Sequence, residues 1–169
     1  MNIILCGMMG SGKTALGKRI AESFGYAWVD SDQVIEARYG SISSIFQTCG
    51  EDYFRQVESE IIEELAKKEQ LVLSTGGGAL LLERNQTAVK KTGTVLFLRA
   101  TKETLVSRLQ GDKNRPLLQG VALEEKIERL LSERTPVYER IADGVLDVDG
   151  YTKDENTARA IEIIKTWQV

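Results

Sequence analysis

Gly7-Met8-Met9-Gly10-Ser11-Gly12-Lys13-Thr14 fits G-x-x-x-x-G-K-[ST], the phosphate-binding loop, and its reading decides the fold. An apolar run, Ile3-Ile4-Leu5-Cys6, precedes it and reads as a buried strand. Leu16, Ile20 and Phe24 follow it at a spacing of four, one face of a helix. The motif therefore sits in the strand–loop–helix setting its chemistry requires. Glycines let successive N–H groups turn inward around a phosphate, and the helix starting near Lys13 adds the positive end of its dipole. Lys13 is expected to reach the β- and γ-phosphates of ATP, and the Thr14 hydroxyl to ligate Mg²⁺. Gly10, Ser11 and Gly12 complete the cradle. Position 15 is Ala, so no second hydroxyl follows Thr14, and Ala15 can offer a nucleotide only its backbone.

Outside the loop, strand and helix patterns alternate. Short runs rich in Val, Leu, Ile or aromatic residues at 2–6, 26–29, 71–74, 94–98 and 145–148 read as strands. Helical periodicity fills 13–24, 32–39, 51–68, 79–91, 101–110, 123–134 and 153–168. Such alternation predicts a three-layer α/β fold: a five-stranded parallel sheet flanked by helices, with ligands beyond the carboxyl ends of the strands. The 169 residues suit a single domain, 1–169. Residues 110–121 carry two Gly, a Pro and three charges without periodicity, and are expected to form a mobile lid.

Composition narrows the chemistry. The chain has no histidine, which removes imidazole acid–base catalysis and His-ligated zinc. Carboxylates, Lys, Arg, hydroxyls and a metal ion remain, and phosphoryl transfer needs only those. Net charge is −3, which argues against a broad nucleic-acid-binding surface. No apolar stretch approaches a membrane span. The first strand begins at once, so no signal or transit peptide is expected, and cytoplasm is the expected compartment. Cys6 reads as a small core residue and Cys49 as part of a turn before Gly50; two such cysteines form no disulfide framework.

Several clusters carry possible chemistry. Asp30-Ser31-Asp32 follows the second strand. One carboxylate can serve Mg²⁺ through water while the other takes the proton or hydrogen bond of an attacking hydroxyl; equally, Asp32 or Ser31 can cap the helix that follows. Arg55 and Glu58 lie three apart on a helix. Taken alone they read as a solvated ion pair, and more sharply as a fork held for an anionic substrate. Thr75-Gly76-Gly77-Gly78 ends the third strand, where a ligand could approach the backbone closely. That strand ends without the acidic metal partner usual in phosphate-loop proteins, which points to Asp30 instead. Arg115, in the expected lid, could stabilise charge on the transferring phosphoryl group. Arg134 ends the helical pattern of Leu123, Ile127, Leu130 and Leu131, and Pro136 is expected to interrupt that helix.

Together these segments resemble the shikimate kinase family, within the nucleoside-monophosphate-kinase-like phosphate-loop proteins. The match rests on residues 7–14, Asp30-Ser31-Asp32, Gly50-Glu51-Asp52-Tyr53-Phe54-Arg55-Gln56-Val57-Glu58, Gly76-Gly77-Gly78, Arg115-Pro116-Leu117-Leu118 and Arg134-Thr135-Pro136-Val137-Tyr138, and covers essentially the whole chain. The resemblance implies sheet order 2-3-1-4-5, a monomeric or weakly associated state, and ATP-dependent phosphorylation of the 3-hydroxyl of shikimate in aromatic amino-acid biosynthesis. It implies that Asp32 receives the reacting hydroxyl and that Arg55 and Arg134 hold the substrate carboxylate. Gly77 and Gly78 would lie against the ring hydroxyls, with substrate-binding helices over about 32–68. It gives Mg²⁺ to Thr14 directly and Asp30 through water, the phosphoryl group to Lys13 and Arg115, and adenine to Arg108. The family's proline after the last strand is missing from Asp147-Val148-Asp149-Gly150-Tyr151-Thr152-Lys153-Asp154.

Two other readings compete. A gluconate-type kinase on the same scaffold would need a differently charged acceptor site, and the Arg55/Arg134 pair argues against it. A nucleotide-binding module without catalysis would lack a base, a metal ligand or the lid arginine, and Asp32, Asp30 and Arg115 are all present.

Overall fold

A computed structural model of the chain describes residues 1–110 and 121–168. Its centre is β1 (Asn2–Cys6), in which every residue is buried. Parallel partners flank it on both sides: β3 (Leu71–Ser74) pairs Ile4 with Leu73, and β4 (Gly93–Arg99) pairs Ile4 with Val95. β2 (Ala27–Asp30) and β5 (Gly144–Asp147) form the edges, giving a five-stranded sheet of order β2-β3-β1-β4-β5, as the resemblance implied. The continuous apolar run of β1 is what a strand buried on both faces requires.

Helices follow each strand. They are α1 (Lys13–Phe24), α2 (Ser31–Tyr39), α3 (Ile42–Cys49), α4 (Glu51–Ala66), α5 (Glu83–Lys90), α6 (Lys102–Gln110), α7 (Val121–Ile141) and α8 (Lys153–Lys165). Leu16 and Ile20 of α1 are buried, as their spacing predicted, and α1 packs against β3 and α8. Among the described residues no helix is long and apolar enough to cross a membrane. Cys6 is a core residue whose thiol burial pushes up to about 12, so it stays a neutral small hydrophobe.

Several sequence expectations need correction. The helical pattern at 79–91 divides into a 3₁₀ turn, Ala79–Leu81, and α5. α3 falls outside the helical ranges given by periodicity, although Gly50 does end a helix as its place before Glu51-Asp52 suggests; Ser41 caps α3, its hydroxyl accepting from the Ser44 amide at 3.2 Å. The cap of α2 is neither Ser31 nor Asp32. The helix starts at Ser31, and Asp30 Oδ1 accepts from the amides of Asp32 and Gln33 at 2.9 and 3.2 Å. Pro136 does not end its helix, because α7 runs on to Ile141. A proline inside a helix costs about 3 kcal/mol. Beyond it Tyr138 and Ile141 are buried, each worth about 1.5–3 kcal/mol, enough to hold the last turn in place. The expected lid, with Arg115, lies outside the described residues apart from its two ends.

Candidate active site

The carboxyl ends of β1, β2 and β3 bring the phosphate loop, Asp30-Ser31-Asp32 and the glycine triplet to one edge of the sheet. Two clefts meet over the loop and share Gly10, Gly12 and Ala15.

The first cleft, about 380 Å³, is lined by Ser11, Leu16, Arg19, Arg108, Val148, Lys153, Asn156 and Thr157 besides the shared residues. Gly10 and Gly12 hold positive φ angles of 82° and 98°, the left-handed backbone a loop curling around an anion requires. Arg108, from α6, donates to the Gly10 carbonyl at 2.9 Å. Ser11 is buried and its amide donates to the Met8 carbonyl at 3.1 Å. The acidic segment after β5 serves the scaffold: Asp149 accepts from the Thr101 amide and hydroxyl at 3.0 and 3.1 Å, fixing the start of α6. Thr152 caps α8 in a capping box with Glu155. Arg19, Asn156 and Thr157 had no local sequence signal, because only the packing of α1 on α8 brings them together.

The second cleft, about 440 Å³, holds Lys13, Thr14, Asp30, Asp32, Arg55, Glu58, Arg134 and Gly76–Gly78 in one place. Lys13 Nζ donates to the Gly7 and Met8 carbonyls at 2.6 and 2.9 Å, across the concavity of the loop. Thr14 Oγ1 donates to Asp30 Oδ2 at 3.1 Å. Among the described residues no three acidic, His or Cys side chains cluster. A cation held between Thr14 and Asp30 would therefore complete its shell with phosphate oxygens and water. Hard oxygen donors and few protein ligands fit Mg²⁺.

The glycine triplet organises the rest. A Cβ on Gly76 would lie 2.5 Å from Asp32 Oδ1, one on Gly77 2.9 Å from Arg134 Nη1, and one on Gly78 2.6 Å from Arg55 Nη2. Each glycine thus packs against one candidate acceptor residue, closer than any side chain would permit. Arg55 Nη1 donates to Glu58 Oε1 at 2.7 Å, and Glu51 lies 3.7 Å from Arg55 Nε. The pair is not the solvated bridge its spacing alone suggested, since the Glu58 side chain is only 1% exposed. Burial pushes the Glu58 carboxyl above its ordinary value, and Arg55 opposes that shift. Ile42 and Phe54 form an apolar wall that the sequence reading did not single out.

Comparison with known proteins places the chain in a family. A family model described as shikimate kinase matches residues 9–165. A shikimate kinase of Thermodesulfovibrio yellowstonii is 43% identical over 162 residues, 95% of this chain and 93% of that one. One of Chromobacterium violaceum is 46% identical over 147 residues, 86% of this chain and 80% of its own. Among solved structures, the shikimate kinase of Acinetobacter baumannii in complex with shikimate superposes with TM-score 0.92 at 36% identity, covering 99% of this chain and 94% of that one. The chain belongs to the shikimate kinase family.

Proposed function

We propose that this protein transfers the γ-phosphoryl group of ATP to the 3-hydroxyl of shikimate, yielding shikimate 3-phosphate and ADP in aromatic amino-acid biosynthesis. The observation that carries the reading is the row Gly76–Gly78, set against Asp32, Arg134 and Arg55 in turn beside the phosphate loop. Two guanidiniums suit a carboxylate, a carboxylate suits a hydroxyl, and bare backbone suits a ring lying close. The Acinetobacter baumannii relative, solved with shikimate, supports the choice of acceptor.

In this reading Arg55 and Arg134 bind the shikimate carboxylate, and Glu58 keeps the Arg55 fork turned toward it. The ring then rests on Gly77 and Gly78 with its 3-hydroxyl toward Asp32. Asp32 accepts the hydroxyl proton as the oxygen attacks the γ-phosphorus and the bond to the ADP oxygen breaks. Positioning reactants so removes much of the entropic barrier. Lys13 offers its ammonium to the β- and γ-phosphates. Thr14 and Asp30 would hold Mg²⁺, which when bound neutralises charge on the phosphates. Arg108, with Gly10, Ser11, Gly12 and Ala15, serves the nucleotide. Arg115 is assigned to the transferring group from the sequence resemblance, since it lies outside the described residues. The whole of 1–169 acts as one kinase domain, with acceptor-binding helices over about 32–68 and residues 110–121 as its lid. It works in the cytoplasm as a monomer, without nucleic-acid or membrane partners.

The test is ADP formation from ATP and Mg²⁺ with shikimate, with gluconate, and without acceptor. Release dependent on shikimate alone is expected. Release with gluconate, or with no acceptor dependence, would overturn the acceptor assignment and leave a phosphate-loop nucleotide site.

A further inference from the structure

Two buried hydroxyls that take no part in the mechanism above are both spent on the glycine turn. Tyr138 is 1% exposed, its ring packed on Phe97 with centroids 5.1 Å apart, and its hydroxyl donates to the Gly77 carbonyl. Ser31 is wholly buried, and its Oγ accepts from the Gly76 amide at 3.1 Å. A phenylalanine would fill the Tyr138 site equally well as core, so packing does not account for the hydroxyl. A buried hydroxyl is costly unless paired, and this one is paired with a carbonyl outside the sheet ladder.

Several other groups of the turn have partners as well. Ala79 and Leu81 amides donate to the Gly76 and Gly78 carbonyls at 3.0 and 3.2 Å, and the Thr75 amide donates to Leu5 at 3.1 Å. Among the described residues this leaves the Gly77 and Gly78 N–H groups without a protein acceptor, at the position where a ligand would lie. Tyr138 also stands one helical turn beyond Arg134, whose guanidinium touches Gly77, so α7 holds both the turn and the cation beside it.

We infer that Tyr138 and Ser31 are positioning residues for the phosphoryl acceptor: they clamp residues 76–78 at two points and so set the spacing of Asp32, Arg134 and Arg55. The inference rests on the acceptor-site reading above. The Tyr138 phenol, pushed up to about 12 by burial, stays protonated, so the clamp persists as a donor across the working pH range.

The test is steady-state kinetics of Tyr138→Phe and Ser31→Ala, with melting temperatures taken alongside. Turnover of shikimate by the unaltered enzyme tests the acceptor reading separately. Each variant is expected to raise KM for shikimate about five- to tenfold while KM for ATP changes by less than about twofold. A role in core packing alone would lower the melting temperature and leave that split absent. Unchanged KM for shikimate in folded protein, or KM for both substrates rising in step, overturns the inference. Should one variant fail to fold, the other decides the matter alone, because each removes one of the two clamping points.

Discussion

The phosphate loop and the acceptor pocket lie side by side and are built on opposite plans. The loop is backbone: residues 7–14 are contiguous, Gly10 and Gly12 take the left-handed turn that lets amides face an anion, and its few side chains, Lys13 and Thr14, come from the same stretch. The pocket is side chain: Asp32, Arg55, Glu58 and Arg134 come from three helices, α2, α4 and α7, and meet only across the triplet Gly76–Gly78. A backbone site spreads its binding over many donors, whereas a side-chain site concentrates each task in one group. Substitutions should therefore act sharply and selectively in the pocket and more gently around the nucleotide.

The largest expected effect is at Asp32. Asp32→Asn keeps the shape against Gly76 and removes the proton acceptor, so kcat should fall by about 10²–10⁴. Equilibrium binding of ATP should be unchanged. A kcat within a few-fold of the unaltered enzyme would make Asp32 a hydrogen-bonding anchor rather than a base. Next comes Arg55→Ala, which leaves the substrate carboxylate short of a charged partner and Glu58 buried without its cation. KM for shikimate should rise about 30- to 100-fold, with KM for ATP unaffected. Equal losses for both substrates would break the division between the two regions.

The same contrast explains what the sequence made legible. A contiguous motif with a strand before it and a helix after it carries its own evidence, and the loop does lie between β1 and α1. The sheet order also agrees with what the resemblance implied. The pocket was readable residue by residue, yet its energetics were not. Three-residue spacing cannot reveal whether Arg55–Glu58 is exposed or buried, because burial depends on α2 and α3 packing over α4. Pro136 misled for a related reason: the local rule ends a helix there, and tertiary burial of Tyr138 overrides it. Nor could any pattern announce that a tyrosine on α7 reaches a glycine carbonyl 61 residues earlier.

On the nucleotide side, Arg108→Ala should sharpen the comparison from the other direction. It removes the donor to the Gly10 carbonyl and one wall of the first cleft, while the loop amides remain. ATP affinity measured by titration calorimetry should weaken about fivefold to tenfold, and shikimate affinity should hold. A loss above a hundredfold would mean that this region, too, depends on single side chains.

The smallest effect concerns Glu58, and it separates what the pocket needs for binding from what the fold tolerates. Its carboxyl is held above the ordinary glutamate value of 4.5, chiefly by burial. Between that value and the raised one, the folded protein binds more protons at this site than the unfolded chain. Stability supplied by the group is therefore full below 4.5 and declines as pH rises through the raised value. Glu58→Gln cannot titrate and lacks this decline. The melting temperature of the variant, relative to the unaltered protein, should accordingly climb as pH goes from acid to neutral, even as the Arg55 fork loses its anchor and KM for shikimate increases. Parallel melting curves across that range would show that Arg55 compensates the buried charge fully. The ion pair would then contribute stability as well as orientation, and the pocket would not be strained by its own chemistry.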